Sequence, residues 1–127
     1  MIEFFRLRAH SFRYAFSGWW FVIRTQRNAW IHALASVLVF LFASVLQLPL
    51  RDWAVLLLAI AMVWMAEFMN TAIEALIDLV SPQQNPLAKV SKDVAAAAVL
   101  ITALAAAVIG FLIMGPPLVA LIQKLVR

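Results

Sequence analysis

Long stretches without a single formal charge leave this chain few ways to fold. No acidic or basic side chain falls between Arg27 and Arg51, and none between Asp93 and Lys124. In hydrocarbon a backbone must satisfy its own N–H and C=O groups, so such segments become helices. At ~1.5 Å per residue, the interval 28–50 is long enough to cross ~30 Å of bilayer core. A second span starts at Trp53, after an expected turn at Arg51-Asp52, and runs to Val80, where Ser81-Pro82 supplies a stop. A third covers 94–115, with Gly115-Pro116-Pro117 expected to end it. Composition agrees: 66% of residues are hydrophobic and 13% charged, which excludes an ordinary soluble domain.

The expectation is therefore one all-α membrane domain over 1–127, three transmembrane helices preceded by an amphipathic interfacial helix over 1–26. No internal repeat, low-complexity tract or linker divides it. None of the spans reads as a cleavable signal peptide, because the first is too long and lacks a cleavage site. Cysteine is absent, so disulfides and thiolate metal sites are excluded. A net charge of +4 would suit nucleic acid, but the basic residues cluster at membrane edges, where anionic lipid is the fitting partner. Arg6, Arg8, Arg13, Arg24 and Arg27 precede the first span, and Lys89 and Lys92 lie between the second and third. Only Arg51, Lys124 and Arg127 fall on the other side. The positive-inside rule then puts the N-terminus and the 81–93 loop in the cytoplasm of a multi-pass protein of the cell membrane.

Against this apolar background one helix face is polar. Glu67, Asn70, Thr71, Glu74 and Asp78 follow the apolar run Trp53 to Ala66 and fall within an arc of about 100° on a helix. A carboxylate facing hydrocarbon costs roughly 2.5–3.5 kcal/mol, so such a stripe marks a functional site. Glu67 and Glu74 stand ~10.5 Å apart along the axis, too far to share one ion comfortably, and so have different tasks. Glu74, nearer the cytoplasm, suits a divalent cation carrying polyphosphate. Glu67, deeper and less hydrated, suits taking a proton from a lipid hydroxyl. Lys92 and Asp93, at the expected start of the third helix, read either as a phosphate contact or as a snorkelling lysine and a capping aspartate.

The N-terminal segment gathers Arg6, His10, Arg13, Ser17 and Arg24 on one face, and Phe5, Phe12, Phe16, Trp19, Trp20 and Ile23 on the other. That is the pattern of a helix lying in the interface, either a plain anchor or a wall whose arginines meet phosphates. Alanine runs in the third span, Ala95 to Ala98 and Ala103 with Ala105 to Ala107, allow close helix approach. They serve either self-association or the chain's own bundle.

The run Glu67-Phe68-Met69-Asn70-Thr71-Ala72-Ile73-Glu74, then Asp78, Ser81-Pro82, Pro86-Leu87-Ala88-Lys89 and Lys92-Asp93-Val94-Ala95-Ala96, resembles the signature of the small prokaryotic integral-membrane diacylglycerol kinases. That family includes the undecaprenol kinases of Gram-positive bacteria. Ser11-Phe12, Ala15, Gly18, Arg27-Asn28 and His32 resemble it in similar spacing. The resemblance implies a homotrimer that transfers the terminal phosphoryl group of Mg-ATP to a lipid alcohol, undecaprenol or diacylglycerol. It further implies that Glu67 is the catalytic base, Glu74 the metal ligand, and Asn70, Lys92 and Asp93 supporting active-site residues. Tyr14, Glu74, Lys92 and Asp93 would contact ATP. The chain departs from the family at Gln26, usually a second metal-binding glutamate, and at Gln83-Gln84-Asn85, Trp30 and Ala97. The loop pattern leans toward undecaprenol.

Two classes of function stand against each other: an ATP- and Mg2+-dependent lipid kinase, and a non-catalytic membrane protein whose acidic crevice serves as an ion or proton pathway or in assembly. A pathway needs polar groups through the full depth of the bilayer. The run Trp53 to Ala66 supplies none in the outer half of the second span.

Overall fold

The computed structural model describes residues 2–81 and 85–126, with side chains from residue 10 onward. Four helices follow in chain order: α1 (Ile2–Thr25), α2 (Arg27–Val45), α3 (Leu50–Val80) and α4 (Pro86–Val126). Among the described residues there is no strand. α2, α3 and α4 are each long and apolar enough to cross a membrane, as the uncharged stretches require. Their outer faces expose Leu34, Leu41, Leu104 and Phe111, side chains suited to lipid.

One extended residue separates α1 from α2. Gln26 has φ −102° and ψ 117°, and its N–H still reaches the Val22 carbonyl at 2.9 Å. Neither proline nor glycine marks this break in the sequence. Packing makes it: Val22 and Ile23 of α1 bury against Ala29 of α2, with Trp64 and Phe68 of α3 closing over them.

The turn between α2 and α3 lies earlier than the Arg51-Asp52 position expected from charge. α2 ends at Val45, and Gln47 takes a left-handed φ of 51°. The Leu48 N–H bonds the Ala43 carbonyl at 3.1 Å and the Gln47 N–H bonds that of Ser44 at 3.2 Å, the pairing of a Schellman cap. Leu48 then buries beside Ala43 and Leu56, the apolar contact that accompanies such caps. Arg51 and Asp52 fall in the first turn of α3, where an aspartate favours the helix dipole.

α3 ends at Val80 as Ser81-Pro82 requires; Ser81 leaves helical geometry at φ −132°. Pro82, Gln83 and Gln84, two of them in the loop that departs from the family, lie outside the described residues. α4 departs from expectation at both ends. It begins at Pro86 rather than 94, because the Asn85 Oδ1 accepts the Leu87 N–H at 2.8 Å and Pro86 has the fixed φ that suits a first turn. It also continues through Pro116 and Pro117 to Val126. Each proline removes one helical hydrogen bond, and the helix on either side keeps the rest.

α3 packs chiefly on α4. Its buried face comprises Leu56, Ala59, Val63, Glu67, Asn70 and Thr71, so the first part of the polar stripe continues the apolar core, while Glu74 is half-buried and Asp78 exposed. Ala95, Val99 and Gly110 of α4 are buried as well, and the small ones admit close approach. Of the two alanine runs only Ala95 is buried; Ala103 and Ala106 line an open groove facing α2, and Ala96 to Ala98 and Ala105 are exposed. Helix lengths place the site: 31 residues of α3 extend ~47 Å against ~30 Å of hydrocarbon. Counted from Leu50, Glu67 lies ~26 Å and Glu74 ~36 Å along the α3 axis, both in its C-terminal half.

Candidate active site

Glu67 sits on the buried face of α3 with 1% of its surface exposed. Neither carboxylate oxygen has a hydrogen-bond partner. His32 Nε2 lies 3.8 Å from Oε2, beyond hydrogen-bond range. A buried charge without a partner costs several kcal/mol, and folded proteins keep such groups where chemistry uses them. Its backbone is anchored: Thr71 Oγ1 donates to the Glu67 carbonyl at 2.9 Å.

One turn toward the C-terminal end of α3, the buried Asn70 donates through Nδ2 to Glu74 Oε1 at 3.0 Å. The other Glu74 oxygen accepts from Gln26 Nε2 at 3.2 Å. The extended backbone of Gln26, set by packing beneath it, is what aims this side chain at α3. Asn70 Oδ1 is buried and unpaired. Among the described residues no three His, Cys, Asp or Glu side chains cluster, so a cation here would rest on one carboxylate and two amides. Those donors fit magnesium, which takes one or two protein carboxylates and completes its shell with water and phosphate oxygen. Turning either amide end for end would present its oxygen in place of its nitrogen.

A further turn along α3, the exposed Asp78 pairs with Lys92 of α4. This corrects the expected position of Lys92: it lies well inside α4, not at its first turn, so no helix N-terminus stands beside it. Asp93 is exposed on the same turn. Tyr14 is exposed on α1, at a cavity of about 790 Å³ between α1 and α3 that Thr71 and Ala75 also line. α1 is held to the site by Trp19, whose ring lies 6.3 Å from that of Trp64.

The structure thus brings Glu67, Asn70 and Glu74 together on one face and adds two residues from α2's beginning. Gln26 stood out in the sequence as a departure from a family pattern, and His32 as a point of resemblance without a role. Their signal was polarity near the start of an apolar span.

The residues from 13 to 114 match the family model of prokaryotic diacylglycerol kinase. The chain belongs to the prokaryotic diacylglycerol kinase family. It is 44% identical over 112 residues to a protein of Synechocystis sp. named diacylglycerol kinase, a match covering 87% of this chain and 64% of that relative. It is 39% identical over 108 residues to a protein of Bacillus subtilis named undecaprenol kinase, covering 85% of this chain and 88% of that one. The chain therefore spans less than two thirds of the first relative's length. No solved structure matches it. Within this diacylglycerol kinase family member, the matched interval contains Tyr14, Gln26, Glu67, Asn70, Glu74, Lys92 and Asp93.

Proposed function

We propose that the chain is a lipid kinase that moves the terminal phosphoryl group of ATP onto the primary hydroxyl of a membrane lipid alcohol at the cytoplasmic interface. Undecaprenol is the acceptor favoured here, since the match to the relative bearing that name runs over 88% of its length. Diacylglycerol is the second. The observation that carries the reading is Glu67, a carboxylate 1% exposed and unpartnered, within two turns of a donor set fit for magnesium.

Glu67 acts as the base. It takes the hydroxyl proton as the oxygen bonds to the γ-phosphorus and the bridge to the β-phosphate breaks, so ADP leaves with the electron pair. Glu74, with the amide oxygens of Asn70 and Gln26, would hold magnesium, which when bound neutralises polyphosphate charge. Lys92, paired with Asp78 one turn beyond Glu74, adds positive charge for phosphate oxygens. Tyr14 and Asp93 are outlying nucleotide contacts. Phosphoryl transfer asks mainly for positioning and charge stabilisation, which suits a site lacking a glycine-rich phosphate loop; the only glycines are Gly18, Gly110 and Gly115. Self-association as a homotrimer would enclose the sides of the stripe that three spans leave open.

The test is phosphoryl transfer by purified protein in liposomes with Mg-ATP and either lipid. Transfer is expected, and Glu67→Gln should lower kcat about 100-fold or more with melting unchanged. No transfer to either lipid, or an undiminished Glu67→Gln variant, would overturn the reading.

A further inference from the structure

Beside Glu67 stands a second buried polar group that the mechanism above leaves idle. His32 Nε2 has no hydrogen-bond partner, and it faces Glu67 Oε2 across 3.8 Å. The gap is too long for a direct bond, yet both atoms are shielded from solvent and both lack any other partner. Two unsatisfied polar atoms at that separation suit a third atom placed to one side of the line between them, within ~2.8 Å of each.

The imidazole is held in place. Trp64 packs edge-on against it with ring centroids 6.4 Å apart and planes at 70°. Trp64 Nε1 in turn donates to Ser36 Oγ at 3.2 Å, and Ser36 Oγ donates to the His32 carbonyl at 2.7 Å. Ring, helix and neighbouring indole therefore form one unit. His32 and Ser36 also line a groove of about 490 Å³ walled by α2 and α4 and floored by α3. Beyond these two residues its lining is apolar, from Val39 and Ala59 to Leu118. A molecule seated there would meet hydrocarbon along its length and polar atoms only at the His32 end.

We infer that His32 is an acceptor-binding residue: its Nε2–H donates to the oxygen of the lipid hydroxyl while that hydroxyl donates its proton to Glu67. This rests on the lipid-kinase reading and deepens it. In the transfer step the O–H bond breaks toward Glu67, the O–P bond forms and ADP departs; the His32 N–H stays on nitrogen and steadies the oxygen as it loses its proton. The arrangement selects a hydroxyl oxygen, which both accepts and donates, over a group that does only one.

The substitutions His32→Gln, His32→Asn and His32→Leu separate this role from a packing role. A glutamine places its side-chain N–H near the position of Nε2, whereas an asparagine reaches only as far as Nδ1. With acceptor lipid varied at saturating Mg-ATP, His32→Leu and His32→Asn should lose about ten-fold or more in kcat/KM for lipid, while the KM for ATP is unchanged and His32→Gln retains most of the activity. A second readout needs no turnover: a deoxy analogue of the acceptor should bind wild type about ten-fold more weakly than the alcohol, and that discrimination should shrink several-fold in His32→Leu, where only Glu67 still bonds the hydroxyl. Equal losses in Gln and Asn variants, or hydroxyl discrimination undiminished in His32→Leu, would overturn the role of His32 while wild-type transfer still stands. Absence of wild-type transfer would instead remove the reading beneath it.

Discussion

Gln26 and Glu74 meet across 48 positions of sequence, and their contact decides how a cation would be held. A neutral amide opposite a carboxylate makes a hydrogen bond; a second carboxylate there would repel the first until a cation came between them. Gln26→Glu should therefore lower the magnesium concentration for half-maximal transfer several-fold, and magnesium should raise the melting temperature of the variant more than that of wild type. Both are read by titrating magnesium, against activity and against thermal unfolding in detergent. Unchanged titrations would detach position 26 from the ion. Of the residues concerned, Glu67, Asn70 and Glu74 were legible in the sequence because charge in an apolar helix is conspicuous. His32 was visible as a residue but not as a site member, since no local pattern ties an α2 imidazole to an α3 carboxylate.

The ends of the helices were less legible than their cores. Charge suggested a turn at Arg51-Asp52, and the chain turns instead around Gln47, where a Schellman cap and the burial of Leu48 outweigh the preference of charged residues for an interface. A left-handed φ costs a non-glycine residue about 1 kcal/mol, so Gln47→Gly should raise stability by up to that amount. Thermal unfolding in detergent checks it, with lipid transfer unaffected because the cap lies at the far end of α3 from Glu67. A lower melting temperature would show that the Gln47 side chain contributes more than its backbone strain costs. Likewise, Pro116 and Pro117 read as a stop from local propensity, yet two prolines remove only two hydrogen bonds of a long apolar helix, and α4 runs on to Val126.

On the scale of the whole molecule, seven of ten basic residues lie on one side of the spans, and the candidate site lies on that same side. The chain contains no cysteine, so single cysteines report topology cleanly. Leu87→Cys and Gln123→Cys replace exposed residues near opposite ends of α4. A membrane-impermeant maleimide applied to intact cells should label the second and spare the first. Labelling of position 87 alone would place the Glu74 end of α3 outside and sever it from cytoplasmic ATP.

Long uncharged runs determined that this chain forms three apolar helices, because a backbone in hydrocarbon has no other way to satisfy itself. The sequence likewise showed that Glu67, Asn70 and Glu74 share a helix face, since 3.6-residue periodicity is a local property. Which way that face points was decided only when the helices packed together and turned Glu67, Asn70 and Thr71 inward, leaving Glu67 dry. So was the company it keeps: Gln26 and His32 reach it because α1 and α2 dock over Trp64 and Phe68, and contacts between helices depend on how whole faces fit together, which no spacing along one helix encodes.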